Sequence, residues 1–229
     1  MKIQVVQSID VLPSTNDYIR QNLNILTSGV CIRALKQTHG KGRRGNVWTT
    51  DSKLNLTFSF LVTANTHLSN DIFMASALAL KSVLKDYFID ASIKLPNDIY
   101  VGNKKIAGML IETLKTNDKV QHICGIGLNI NEQTPHKYDK NATSMLCEQT
   151  HLYEIEKILN KFVERYNHYV VLKDTFKEFK SALFERKHVA IYQGKRYQLT
   201  AISEAFMCTI TQGADKQVIS CDQLTFALN

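Results

Sequence analysis

Two rhythms of hydrophobic and polar residues alternate along the chain. From Leu54 to Val62, the residues Leu54, Leu56, Phe58 and Phe60 recur at every second position between polar or small neighbours, which predicts a strand with one buried face. Gly29–Leu35 predicts a second strand, and Val120–Asn131 a third. Between them, Ser69–Phe88 is the longest predicted helix, and its section Met74–Leu80 is apolar nearly all round, as expected of a helix buried on every side. Ser14-Thr15-Asn16-Asp17 precedes Tyr18, Ile19 and Leu23, an N-cap signal followed by helical spacing. Ile99 and Val101 lead through Gly102-Asn103 into Lys105–Leu114, the signature of a β-hairpin. Tyr153–Tyr169 and Thr175–Phe184 carry helical spacing. Beyond a boundary near Arg186 the character changes to short runs, Val189–Tyr192, Arg196–Ile202, Met207–Thr211 and Val218–Ser220, with turns at Gly194 and Gly213. The pattern predicts a mixed α+β domain over residues 1–185 and a small β-barrel over 186–229.

Composition narrows this picture only slightly. A chain of 229 residues, 44% hydrophobic, is long enough for one sizeable core and a small appendage, and 3 prolines with 10 glycines argue against a linker-rich chain. No apolar run approaches the ~18 residues of a membrane-spanning helix, so no membrane partner is expected. Met1–Asp10 carries Gln4, Gln7, Ser8 and Asp10, which is no secretory segment. The cysteines Cys31, Cys124, Cys147, Cys208 and Cys221 have neither zinc-site spacing nor a disulfide pattern, and a reducing cytoplasm is the expected setting.

Charge is less evenly spread. Residues 1–115 hold 14 Lys/Arg against 8 Asp/Glu, a net of +6, and the remainder 14 against 13, a net of +1. Lys36–Arg44 contributes four cations with no acid before Asp51. A local patch of this kind suits a phosphate-bearing ligand or an acidic partner as well as it suits nucleic acid.

Four stretches carry candidate chemistry. In Gln37-Thr38-His39-Gly40-Lys41-Gly42-Arg43-Arg44-Gly45, the glycines permit close backbone approach and the arginines offer planar donor forks for phosphate or carboxylate; a plain solvent loop is the alternative. Lys94-Leu95-Pro96-Asn97-Asp98 is turn chemistry that also sets an amide and a carboxylate at a strand end. In Lys105-Ile106-Ala107-Gly108, a lysine beside a side-chain-free position could set an ammonium against a phosphate, or simply be solvated. In Gly125–Asn131, period two sends Ile126, Leu128 and Ile130 to the core and Gly125, Gly127, Asn129 and Asn131 to the other face. Two glycines in a strand call for something packed closely over them, and the asparagines offer paired donors and acceptors that could read a nucleobase edge.

In this order the stretches resemble the biotin protein ligases: Ser14-Thr15-Asn16, Gln37 with the basic loop and Trp48, Lys94-x-Pro96-Asn97-Asp98, Lys105-x-x-Gly108, and Gly125-x-Gly127-x-Asn129-x-Asn131. The resemblance implies a class II synthetase-like catalytic domain with a mainly antiparallel sheet and an SH3-like C-terminal barrel. It implies activation of biotin by ATP, with Mg2+, to biotinyl-5'-AMP, and transfer to a lysine of a biotin carboxyl carrier domain. Ser14, Thr15 and Gln37 would hold biotin's urea ring, and Asn16 would belong to the biotin site. Gly40, Lys41, Gly42 and Arg43 would hold its carboxylate and then the acyl phosphate, and Gly108 would let backbone reach biotin. Lys105 would neutralise charge on the α-phosphate, Trp48 would close over the intermediate, and Asn97, Asp98, Asn129 and Asn131 would line the nucleotide side, Asp98 also orienting the acceptor amine. No protein ligand for a metal is implied.

Lys41 stands where that family usually has arginine, and Leu95 where it usually has tryptophan. Ser14 lies too near the start for a preceding helix-turn-helix, so no nucleic-acid partner is expected, and the chain is expected as a monomer or homodimer. A lipoate or octanoate ligase or transferase of the same fold is the alternative, although its Arg-rich, multi-glycine signature and His-Asp pair are not matched by His39 alone.

Overall fold

The computed structural model describes residues 1–48, 53–116, 119–137, 139, 141–183, 185 and 187–228. Seven strands form one sheet: β1 (Val5–Leu12), β2 (Val30–Gln37), β3 (Leu56–Ala64), β4 (Ala91–Lys94), β5 (Asp98–Val101), β6 (Lys104–Thr116) and β7 (Lys119–Leu128), in the spatial order β1-β2-β3-β7-β6-β5-β4. Only β1 and β2 run parallel; every other neighbouring pair is antiparallel. Sequence alternation did not predict β1 because it is an edge strand whose valines Val5, Val6 and Val11 remain exposed. The four-residue β4 escaped for want of length.

Register decides what each face of this sheet presents. Phe58 pairs with Ile126 and Phe60 with Cys124, so both phenylalanines share a face with the β7 core residues. Three helices cover that face: α2 (Ser69–Asp86), α4 (Ile155–Tyr169) and α5 (Thr175–Leu183). Residues Met74–Leu80 of α2 are all buried, Ser76 among them, as a helix apolar nearly all round requires. Phe162 of α4 meets Phe58 edge-on at 4.9 Å between ring centroids, and Tyr166 lies 4.7 Å from Phe60, geometries that add to plain burial.

The opposite face pairs small residues. Gly127 of β7 lies between Thr57 and Gly108, and Gly125 between Ser59 and Leu110, which leaves a trough across three strands. Helix α1 (Thr15–Gln21) borders this trough, its Ile19 packing with Ile32, Leu61 and Ile123 in a smaller second core. The one-turn helix α3 (Met145–Gln149) follows a long segment after β7.

The C-terminal strands β8 (His188–Tyr192), β9 (Lys195–Ile202), β10 (Met207–Gln212), β11 (Asp215–Ser220) and β12 (Thr225–Leu228) form a second, antiparallel sheet in the order β11-β10-β9-β8-β12. The expected boundary residue Arg186 lies outside the described residues. Ala190, Tyr197, Leu199 and Phe226 belong to the same continuous core as Phe58 and Leu80, so the two sheets are welded together. The expectation that no cysteines pair is corrected here: Cys208 and Cys221 form a disulfide. The β10–β11 hairpin sets Met207 opposite Ser220, which brings two cysteines 13 positions apart to adjacent places, and linear spacing does not reveal such a register. Burial pushes the Cys31 and Cys124 thiols up to about 12, which leaves both unreactive. Among the described residues, no helix is long and apolar enough to cross a membrane.

Candidate active site

The trough, the start of α1 and the glycine-rich loop enclose a cavity of about 160 Å³. Ser14, Thr15, Asn16, Gln37, Lys41, Gly42, Arg43, Trp48, Asn97, Asp98, Lys105 and Gly108, all singled out in the sequence, line it together. Gly40 stands behind this wall, because a Cβ there would fall 2.2 Å from the Trp48 carbonyl oxygen.

The inner end of the cavity is a buried polar cluster. Ser14 caps α1, its Oγ accepting from the Asp17 N–H at 3.4 Å. Thr15 N–H donates to Gln37 Oε1 at 2.7 Å, and Thr15 Oγ1 lies 2.6 Å from Ser59 Oγ. Ser59 in turn donates to Asn16 Oδ1 at 2.5 Å. All of these side chains are buried, so each polar atom needs a partner in the protein or in a ligand. Asn16 lies over Gly125, where any Cβ would sit 2.2 Å from its Oδ1.

At the other end, Lys105 Nζ pairs with Asp98 Oδ1 at 2.7 Å. The hairpin register explains the meeting: Asp98 lies opposite Gly108, and a Cβ at Gly108 would stand 3.0 Å from Lys105 Nζ. Asn97 fastens this corner, donating from Nδ2 to the Met109 carbonyl at 3.0 Å. Trp48 lies across Gly127, whose missing side chain makes room for the indole; a Cβ would fall 2.2 Å from Cε2. Lys105 Nζ stands 5.5 Å from the centre of that ring, a cation–π arrangement, and the indole N–H is buried without a partner among the described residues.

The basic loop is closed on itself. Gly42 N–H donates to Asn46 O at 2.7 Å, Trp48 N–H to Gly40 O at 3.0 Å, and Lys41 bridges to Val47. Of its residues Arg44 and Gly45 adopt positive φ, at 54° and 79°, so the turn sits at the tip. Lys41 reaches back to Asp17 of α1 at 2.7 Å. Arg43 Nη2 donates to Asp222 Oδ1 at 3.1 Å, and Arg44 Nη2 to the Asp222 carbonyl at 3.3 Å. Asp222 belongs to a short turn beside β12, and nothing in the sequence ties it to a loop about 180 positions away; Ser59, Arg20 and Glu112 were missed for the same reason.

Two expected site residues lie elsewhere. Asn129 faces an adjoining cavity of about 460 Å³ that shares Asn46, Val47, Trp48 and Lys105 with the first; its Nδ2 donates to the Thr143 carbonyl. Asn131 faces neither cavity: its amide clamps the Tyr153 backbone, donating to the carbonyl and accepting from the N–H, each at 2.9 Å. β7 ends at Leu128, so the expected alternation does not extend to Asn131. Leu95 is buried in the main core and lines neither of these cavities. Among the described residues no group of three or more His, Cys, Asp or Glu side chains could hold a metal ion, and Asp98 is already matched by Lys105. This donor set does not fit a resident metal.

The model of the biotin/lipoate A/B protein ligase family matches residues 8–129, more than half of the chain and every candidate residue except Asn131. Among curated proteins, the bifunctional ligase/repressor BirA of Escherichia coli is 32% identical over 129 residues, 55% of this chain and 40% of BirA. The biotin–[acetyl-CoA-carboxylase] ligase of Mycobacterium tuberculosis is 30% identical over 125 residues, 52% of this chain and 45% of that protein. The chain thus matches less than half the length of these relatives. The biotin protein ligase of Aquifex aeolicus, solved with biotin and ATP, shares the fold at a TM-score of 0.83 and 23% identity, covering 99% of this chain and 100% of that one. With its fold, its ordered motifs and this match in hand, the chain belongs to the biotin/lipoate A/B protein ligase family.

Proposed function

We propose that the chain is an ATP-dependent biotin protein ligase. One observation carries the reading: two adjoining cavities, one ending in a buried polar cluster and one bordered by Asn129, meet at Lys105 and Trp48. A carboxylate reaching out of the first cavity and an α-phosphate reaching out of the second would meet beside one ammonium.

In the first step a biotin carboxylate oxygen bonds to the α-phosphorus of ATP, and the bond to pyrophosphate breaks. Lys105 and Arg43 stabilise the negative charge gathered on the phosphoryl oxygens, and the cavity supplies alignment. The mixed anhydride hydrolyses readily, and Trp48 with the loop excludes water from it. In the second step a lysine amine of a biotin carboxyl carrier domain attacks the acyl carbon, AMP leaves, and Asp98 orients the amine and takes up its proton. Mg2+ enters with the ATP phosphates, in keeping with its preference for phosphates and water over protein cages. We assign residues 1–185 to the catalytic unit and 186–229 to a C-terminal unit, and place the chain in the cytoplasm, where ATP and carrier domains are made.

The test is incubation with biotin, ATP, Mg2+ and a carrier domain, with mass measurement of that domain. The expected result is one added biotinyl group and release of pyrophosphate. No mass gain, or a preference for lipoate in direct competition, overturns the reading in favour of the other branch of the family.

A further inference from the structure

Glu112 does not line the cavity, yet it fixes the hydrogen-bonding polarity of the polar cluster. Its Oε2 accepts from Asn16 Nδ2 at 2.7 Å, and the Leu110 carbonyl lies 3.5 Å from the same nitrogen. A carboxylate and a carbonyl only accept, so the Asn16 amide is held with its nitrogen toward them and its oxygen toward Ser59. Ser59 must therefore spend its single hydrogen on Asn16 Oδ1, 2.5 Å away. Thr15 Oγ1, 2.6 Å from Ser59 Oγ and 3.0 Å from Gln37 Oε1, then spends its own hydrogen inside the cluster, on one of these two acceptors. Gln37 Oε1 is met by the Thr15 N–H, which fixes the flip of the amide and sets Gln37 Nε2, a donor, on the Gly40 side.

We infer that Glu112 is a positioning residue that presets this chain of donors, so that Thr15 Oγ1 offers only lone pairs to the ligand and Gln37 Nε2 offers hydrogen. A cyclic urea, with N–H groups flanking a carbonyl, is complementary to such an edge. Arg20 holds the carboxylate in place, pairing with Glu112 Oε1 and, at 2.5 Å, with Asp17. Without an acceptor-only group at position 112, the Asn16 amide is free to turn over, and the hydroxyls lose their common direction. The inference rests on the biotin-ligase reading and adds to it the group that sets the specificity of the urea pocket.

The test compares wild type, Glu112→Gln and Arg20→Gln. Glu112→Gln keeps the shape but puts a donor beside Asn16; loss of one charge-assisted contact is expected to raise the KM for biotin about tenfold, with kcat and the KM for ATP changed less than about twofold. Arg20→Gln keeps the carboxylate and is expected to shift the biotin KM the same way by less. Wild type should reject a biotin analogue methylated at a urea nitrogen, and Glu112→Gln should narrow that discrimination, which a loss of stability alone would not do. Unchanged biotin KM and unchanged discrimination in both variants overturn the inference while leaving the ligase reading intact. A wild-type chain that binds no biotin in calorimetry overturns both.

Discussion

Lys105 is the residue on which the proposed chemistry turns. Held 2.7 Å from Asp98 and set over the Trp48 ring, it keeps its ammonium at the junction of the two cavities. Lys105→Ala is expected to lower biotin-dependent pyrophosphate release by about two to three orders of magnitude, as loss of a transition-state charge partner does, with thermal stability nearly unchanged. Near-normal release would remove it from the site. A second residue, His122, ties stability to pH away from the chemistry. It is buried, its Nε2 accepts from the Leu68 N–H at 3.1 Å, and Nδ1 pairs with Thr113 Oγ1 at 3.0 Å. Desolvation first, then the neighbouring His67, holds its pKa below the ordinary 6.5, so the folded state favours the neutral ring. The unfolded chain then binds the extra proton, and this contribution to stability is complete above 6.5 and lost as pH falls below it. Thermal melts from pH 8 to 5 should show a loss that is smaller in His122→Gln.

At the scale of elements, β7 carries the clearest link between sequence and site. Its alternation of isoleucine and glycine made one face readable as core and the other as a surface awaiting close contact, and Asn16 and Trp48 supply that contact. Gly127→Ala sets a methyl where the indole lies; the expected outcome is a displaced Trp48 and a rise of about tenfold or more in the rate at which the acyl-adenylate escapes, measured as biotin appearing on bystander protein without carrier. Local pattern also sufficed for α2, for the β5–β6 hairpin turning at Gly102, and for most strands of the second sheet. It failed where the signal is not local. Asn131 reads as ligand chemistry only on a strand that continues past Leu128, whereas the chain leaves β7 there and spends the amide on Tyr153. Glu112 and Ser59 sit among ordinary strand residues, and only the pairing of β3, β7 and β6 brings them behind the cavity.

At the scale of the whole molecule, the basic loop is held from two sides by acids. Lys41 meets Asp17 of α1, while Arg43 and Arg44 meet Asp222 beside β12, so part of the front-half charge is balanced internally. Asp222 is largely exposed, and such a pair is worth up to about 1 kcal/mol, or a factor of about five. Asp222→Ala is therefore expected to speed release of the acyl-adenylate by no more than about fivefold, leaving the melting temperature within a degree or two. A larger effect on folding than on release would make the contact merely structural. The loop is thus an object shared by both sheets, and the welded core keeps its two anchor points at a fixed separation. The single tryptophan of the entire chain sits at the end of that loop, stacked on the trough with its N–H buried. The molecule consequently carries its own optical probe: a change in indole emission on adding biotin or ATP is expected to arise from the proposed site alone, and the kinetics of binding there can be followed in the unlabelled protein.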